Sequence, residues 1–174
     1  FINFTGSTDV GQHIAELAVE IGKDKMTATA EKIGINENFE IDGVKTAKGN
    51  YDVSKANTNQ LAWSGVGQYE DKVNPLQMAM ICGAIANGGK TTNPTLIKSS
   101  TDDFFNSLGF SNSGNGKEMF NASTAQKLDE IMRYTITDYY GDYLFGGLTV
   151  CAKTGTGEVG EDKEPNAWVV GYAK

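Results

Sequence analysis

Residues 148–156 read Leu-Thr-Val-Cys-Ala-Lys-Thr-Gly-Thr, an apolar run that closes on one cation and two hydroxyls. A second apolar run, Ala-Trp-Val-Val-Gly-Tyr-Ala, occupies 167–173. Two such runs on either side of a polar stretch predict two β-strands, with a solvated hairpin tip at 158–164. The tetrad Lys153-Thr154-Gly155-Thr156 is then expected at the end of the first strand. An ammonium and two hydroxyls at that place would suit an acyl substrate that carries a carboxylate tail.

Outside these strands, the spacing of apolar residues predicts four helices. They span 10–21, ended by Gly22; 24–33, ended by Gly34; 75–87, with Asn74 as N-cap; and about 124–137, with Ser123 as N-cap. The third is apolar nearly all round, so it should be buried. The fourth is predicted to turn four side chains inward: Ala125, Leu128, Ile131 and Met132.

The remaining segments are predicted to lie at the surface. Residues 36–59 are polar and are interpreted as a loop that holds a short hairpin. Residues 111–117 have the composition of a flexible loop. The aromatic and glycine-rich stretch 139–147 is interpreted as a lip over a groove.

Composition limits the function classes. The 174 residues suffice for one domain, and a net charge of −7 with a pI near 4.7 argues against a nucleic-acid partner. No apolar run approaches the roughly 20 residues that span a bilayer. Cys82 and Cys151 lie in apolar segments and are predicted to be reduced core residues. His13 is the only histidine and is predicted on a solvated helix face. A single histidine disfavours a zinc site and leaves few basic partners for a catalytic cysteine. No cofactor is expected.

Several segments, in one consistent order, resemble the transpeptidase domain of penicillin-binding proteins, especially the class B, monofunctional kind. Residues 151–159 are similar to the KTG motif of that family with its flanks, and 165–173 to the adjoining strand. Residues 67–69, 74–79 and 84–90 form a third similar set of segments, and the helix pair around 14–34 a fourth. The resemblance implies an α+β fold in which helices pack on an antiparallel sheet.

The resemblance also implies roles for the tetrad. In this family a serine of a Ser-x-x-Lys motif attacks a carbonyl, and the acyl-enzyme is resolved by an amine. Lys153 would supply positive potential and orient proton transfer, while Thr154 and Thr156 would offer hydroxyls to the substrate carboxylate. Gly155 would let the backbone lie close to the ligand, and the backbone N–H of Thr156 would form half of the oxyanion hole.

The family pattern is incomplete in this chain. No serine has lysine three positions on, so the resemblance places the Ser-x-x-Lys segment before Phe1 and a final strand and helix after Lys174. Residues 1–174 would then be a partial transpeptidase domain, inactive alone. The second motif, Ser-x-Asn, falls either on Ser7-Thr8-Asp9, with aspartate in place of asparagine, or on Asp9-Val10-Gly11. An ionised aspartate only accepts hydrogen bonds, so Ser7 is a degenerate candidate. The literal match at 113–115 is interpreted as chance.

The resemblance implies that the parent protein acts on the D-Ala-D-Ala end of a peptidoglycan stem peptide and binds β-lactams. It implies a membrane-anchored protein on the extracytoplasmic face of the bacterial cell membrane, working with other cell-wall synthesis proteins. Two alternatives stay open at this point: a serine β-lactamase or β-lactam sensor of the same superfamily, and a non-catalytic binding module derived from the fold.

Overall fold

A computed structural model of the chain describes residues 8–97, 116–157 and 163–174. Five α-helices are formed there: α1 (Thr8–Ile21), α2 (Lys23–Lys32), α3 (Thr58–Gly65), α4 (Pro75–Ala86) and α5 (Ala122–Tyr134). A π-helical turn (Thr135–Tyr140) and a 3-10 turn (Asp142–Phe145) extend α5. The strands are β1 (Glu40–Ile41), β2 (Val44–Lys45), β3 (Val150–Gly157) and β4 (Asn166–Ala173). The predicted loop at 111–117 and hairpin tip at 158–164 lie largely outside the described residues.

Asparagine side chains begin three of these helices. The Oδ1 atoms of Asn57, Asn74 and Asn121 accept from the backbone N–H three residues on, at 3.0, 2.8 and 2.8 Å. Each of these bonds satisfies a donor that the first helical turn leaves without an intrahelical partner. The prediction that Ser123 caps the last helix was wrong. Asn121 is the N-cap, and the Ser123 hydroxyl donates to its Oδ1 at 2.9 Å.

Strands β3 and β4 form a continuous antiparallel pair, from Val150 opposite Ala173 to Gly157 opposite Asn166. One face of this pair carries Cys151 and Val170, which are buried against α4 and α5. Helix α4 supplies most of that core, with Met78, Ile81, Cys82, Ala84 and Ile85 all buried. The predicted strands, the buried central helix and the α+β class are therefore confirmed.

The tetrad lies within the last five residues of β3, at the end of the strand as predicted. Strand β3 continues through Thr156 to Gly157, since threonine favours extended backbone and both glycines keep their pairing with β4. The tetrad is thus held at a fixed register against β4 rather than in a loop.

A second core lies between α2, α3 and the connecting segment. Its buried members are Ala30, Ile35, Tyr51, Val53, Ala56 and Leu61. Hairpin β1–β2 is present as predicted, but the interpretation of 36–59 as surface loop was wrong, because Tyr51 is 2% and Val53 0% exposed. Helix α3 was not predicted from the sequence.

Two helix details also differ from expectation. Ile131 is 60% exposed, whereas Ala125 and Met132, seven residues apart, point into the core. Helix α5 ends at Tyr134 and widens into the π-helical turn instead of continuing regularly to 137. His13 lies at the surface as predicted, with 82% of its side chain exposed. Within the described ranges, every helix is too short or too polar to cross a bilayer.

A partly buried carboxyl lies beside the second core. Asp71 Oδ2 accepts from the Ser64 hydroxyl at 3.1 Å, and both residues lie near the buried Tyr51 ring. Burial raises the pKa of Asp71 to about 7, although the Ser64 hydrogen bond opposes that rise. Since an unfolded aspartate titrates near pH ~3.9, the folded protein holds the Asp71 proton more tightly than the unfolded chain does.

The stability contributed by Asp71 is therefore fully present below about pH 4 and is lost as the pH rises through 7. Asp71→Asn keeps an acceptor for Ser64 and has no charge to bury. We expect the melting temperature of the variant, relative to the unmodified chain, to rise between pH 4 and pH 8. Circular dichroism melts across this range measure it, with the exposed neighbour Glu70→Gln as control. A difference that stays constant with pH would contradict the assignment.

Candidate active site

Strand β3 divides the tetrad between its two faces. Because side chains alternate along a strand, Lys153 and Gly155 share the face of Cys151, which packs against the helices. Thr154 and Thr156 point to the opposite face. Gly155 is buried, while Lys153, Thr154 and Thr156 are half-buried. The tetrad thus offers its ammonium on one side of the sheet and its two hydroxyls on the other.

The residues of β3 that hydrogen-bond to β4 alternate with residues whose backbone groups point away from β4, so the pattern decides which groups are available. Just before the strand, the Lys174 N–H donates to the Thr149 carbonyl at 2.9 Å. In an uninterrupted antiparallel pair, hydrogen-bonded and non-hydrogen-bonded residue pairs alternate. Lys153 and Gly155 therefore exchange bonds with β4, and the N–H and C=O of Thr154 and Thr156 point the other way. Among the described residues no strand pairs with that second edge of β3, which we call the open edge.

The Lys153 ammonium lies at the open edge. Its Nζ donates to the Thr154 carbonyl at 2.5 Å, and that carbonyl projects away from β4. Burial lowers the pKa of Lys153, since desolvation disfavours the charged form. No carboxylate in the described part of the chain forms an ion pair with it. A partly desolvated cation without a local counter-ion is suited to attract an anionic ligand.

The Thr156 N–H points along the same edge, two residues beyond the Thr154 carbonyl. This spacing corresponds to about 7 Å in an extended strand. A backbone N–H that faces outward next to a cation is a suitable donor for an oxygen that gains negative charge. The open edge therefore carries one cation and an outward N–H, and the two threonine hydroxyls lie beside it on the face of β3 opposite Lys153.

Tyr140 contacts the tetrad, and the sequence did not single it out. Its Oη lies 2.7 Å from Thr154 Oγ1, so the two hydroxyls share a hydrogen bond. The only sequence signal was the aromatic composition of 139–147, interpreted as a lip. The π-helical turn that ends at Tyr140 brings the ring against β3.

A separate polar cluster fixes the far end of the hairpin to α5. Asp129 accepts from the Tyr172 hydroxyl and the Lys174 ammonium, both at 2.6 Å. The hydrogen bond from Lys174, followed by that from Tyr172, lowers the pKa of Asp129. Arg133 binds Asp142 and donates to the Val150 carbonyl at 2.9 Å. These contacts hold β3 and β4 in place and leave the tetrad itself untouched.

The other candidate positions lie away from the described site. Ser7 and the match at 113–115 are outside the described residues, so the second-motif register remains a prediction. Thr8 and Asp9 form the exposed first turn of α1. In the described ranges, no three His, Cys, Asp or Glu side chains converge in a way that could hold a metal ion.

Comparison with known proteins matches residues 4–174 to the family model of the penicillin binding protein transpeptidase domain. The peptidoglycan D,D-transpeptidase PbpA of Mycolicibacterium smegmatis is 25% identical over 163 residues, covering 91% of this chain and 33% of the relative. Penicillin-binding protein 3 of Bacillus subtilis is 27% identical over 173 residues, covering 92% and 24%. The chain thus spans a third or less of these relatives.

Solved structures show the same fold. Penicillin-binding protein A from M. tuberculosis, as its imipenem acyl-enzyme complex, superposes with a TM-score of 0.83 at 24% identity, over 92% of this chain and 36% of that one. The D,D-transpeptidase domain of a peptidoglycan glycosyltransferase from Eggerthella lenta superposes with a TM-score of 0.79 at 26% identity, over 94% and 42%. Helices on an antiparallel strand pair are therefore shared with both.

Proposed function

Because this chain belongs to the penicillin-binding protein transpeptidase domain family, we propose that it supplies the β3 side of a D-Ala-D-Ala transpeptidase active site. The reaction cross-links peptidoglycan through an acyl-serine intermediate. The observation that carries the proposal is the open edge, where the Lys153 ammonium and the outward Thr156 N–H lie, with two threonine hydroxyls on the adjoining face of β3. The names of the curated relatives agree with this reaction.

In the proposed mechanism, the terminal carboxylate of a stem peptide is held by the Thr154 and Thr156 hydroxyls and by the Lys153 charge. The scissile carbonyl oxygen accepts from the Thr156 N–H. A serine oxygen attacks the carbonyl carbon, and its proton passes through the site to the departing D-alanine nitrogen as the amide bond breaks. An amine of a second stem peptide then attacks the ester and releases the serine. Loss of one oxyanion donor typically costs about 3 kcal/mol in the transition state.

β-Lactams are proposed to enter the same site and stop at the acyl stage. The M. tuberculosis protein of the same fold has been solved as acyl-enzyme complexes with imipenem and penicillin G. A β-lactam carries a carboxylate near its reactive carbonyl, so the open edge would bind it through the same groups.

The attacking serine is proposed to belong to a segment outside these 174 residues. The chain holds no Ser-x-x-Lys, and its relatives are three or more times longer than the part it matches. Residues 1–174 are thus proposed as part of a transpeptidase domain. The complete protein is proposed to be anchored in the bacterial membrane, facing the cell wall together with other wall-synthesis proteins. Ser7 is proposed as the serine of a degenerate second motif, in which Asp9 replaces asparagine.

We expect the complete protein to bind a fluorescent penicillin covalently, and the 174-residue chain alone to remain unlabelled. The reason is that Lys153 and the threonines orient a carbonyl but do not attack it. Denaturing gels and mass spectrometry of peptides measure the label. A label on any residue of the isolated chain would overturn the role given to the open edge.

The same labelling experiment separates the alternatives. A complete protein that stays unlabelled would indicate a non-catalytic binding module. Asp9, in the place where the second motif has asparagine, is the sequence feature that supports this alternative. A label that forms and then disappears rapidly, with stoichiometric release of opened penicillin, would identify a β-lactamase.

A further inference from the structure

A hydroxyl outside the tetrad is hydrogen-bonded to one of its groups. Tyr140 Oη lies 2.7 Å from Thr154 Oγ1, and both atoms are partly buried. The two side chains border an apolar hollow of about 570 Å³ that is also lined by Ile136, Phe145 and Val169. A hydroxyl pair beside apolar side chains is less exposed to competing water than one on the open surface, so its geometry is better defined.

The backbone that carries Tyr140 has a specialised form. Regular α5 gives way to a π-helical turn, in which the Gly141 N–H donates to the Ile136 carbonyl at 2.7 Å across five residues. Gly141 then adopts φ +94°, which side-chain-bearing residues rarely adopt. A Cβ built there would lie 2.4 Å from the Tyr143 ring. The turn therefore fixes where the Tyr140 ring stands, and single π-helical turns frequently occur at functional sites.

A hydroxyl carries one proton and can accept as well as donate. When Tyr140 donates to Thr154 Oγ1, the Thr154 proton is directed to another acceptor. A carboxylate needs donors only, so this arrangement is the one that suits an anionic substrate end.

We propose that Tyr140 is a positioning residue, which donates to Thr154 and so orients the Thr154 hydroxyl as a donor to the substrate carboxylate. This inference rests on the proposed transpeptidase function and adds a specificity determinant to it. Tyr140 touches Thr154 and acts on the substrate through it.

The test uses the complete protein and two probes: penicillin G, which has a free carboxylate, and its methyl ester, which has none. Tyr140→Phe keeps the ring and removes the hydroxyl. We expect it to slow acylation by the free acid about three- to tenfold, the range of one hydrogen bond between neutral groups, and to leave acylation by the ester nearly unchanged. Tyr143→Phe removes a hydroxyl from a ring that is 84% exposed and serves as the matched control.

A double-mutant comparison completes the test. Thr154→Val should lower the acid-to-ester ratio on its own, and adding Tyr140→Phe to it should cause little further loss. Equal slowing of both probes by Tyr140→Phe, or independent and multiplicative losses in the double variant, would overturn the proposal. Failure of the unmodified protein to react with either probe would instead refute the proposed function, so the two failures are distinguishable.

Discussion

Replacing Lys153 by methionine in the complete protein is expected to slow acylation by penicillin on the order of a hundredfold or more. Methionine keeps most of the length and apolar stem of lysine, so the half-buried position stays filled. The variant loses the ammonium at the open edge, the only group of the tetrad with a full charge. Preorganised charges in partly desolvated sites are among the largest single contributions to catalysis. The time course of fluorescent-penicillin labelling measures the rate.

Lys174→Met is the matched control, because it removes the same charge from the residue that directly follows β4. The Lys174 ammonium binds Asp129, in the cluster that joins the hairpin to α5. We expect that variant to be slightly less stable but to acylate at nearly the normal rate. Similar losses in both variants would mean that net charge matters and the position of Lys153 does not.

The pH profile gives a second measure of Lys153. Because burial lowers the pKa of Lys153, its ammonium is neutralised at a lower pH than a solvated lysine would be. Acylation should therefore decline on the alkaline side in the unmodified protein, and this decline should be absent in Lys153→Met. An unchanged alkaline limb in the variant would assign the decline to another group.

Gly171→Ala is expected to destabilise the strand pair. Gly171 lies opposite Ala152, one residue before the tetrad. A Cβ at Gly171 would lie 2.4 Å from the Cys151 carbonyl oxygen and 2.7 Å from the Ala152 Cβ. Both neighbours belong to β3, so the two strands must separate. We expect a loss of about 1–3 kcal/mol in unfolding free energy, measured by urea titration, and slower acylation in the complete protein.

Gly83→Ala makes the same chemical change where space is open. Gly83 is exposed on α4, and a Cβ there meets no atom within 4 Å. Alanine is the better helix former, so this variant should gain up to about 1 kcal/mol. Equal stability of the two variants would show that β3 and β4 can accommodate the methyl group, contrary to the register described.

The parts of the fold that the sequence predicts are those with strong local signals. Strands β3 and β4 are apolar runs separated by a polar stretch, and α4 has a capping asparagine, a proline at its start and apolar residues all round. The burial of Tyr51 depends instead on a distant partner. The Asn36 side chain accepts from the Tyr51 N–H at 2.7 Å and donates to its carbonyl at 3.0 Å, as a strand would. A polar sequence window cannot reveal such a long-range substitute for a strand.

Helix α3 was missed for a different reason. It has eight residues and leaves Trp63 largely exposed, so it lacks a clear apolar stripe. The available sequence signal was Asn57 followed by Gln60 three residues later, a pair that forms reciprocal capping hydrogen bonds in the structure. In the site, the residue types of the tetrad were enough to find it. Its position on an open edge depends on which residues of β3 exchange hydrogen bonds with β4, which the sequence does not show. Tyr140 lies fourteen residues before Thr154 and is brought to it by the π-helical turn.

The burial of the two cysteines has a consequence for their reactivity toward thiol reagents. Cys82 and Cys151 are both buried in the core between the helices and the strand pair. Burial raises the pKa of each thiol, and the nearby Asp129 charge adds to this for Cys151. Thiolate is the reactive form, so both sulfurs are chemically quiet while the helices stay on the sheet. The rate at which an added thiol reagent alkylates them would therefore report how often the helices separate from the strand pair, with no cysteine having to be introduced.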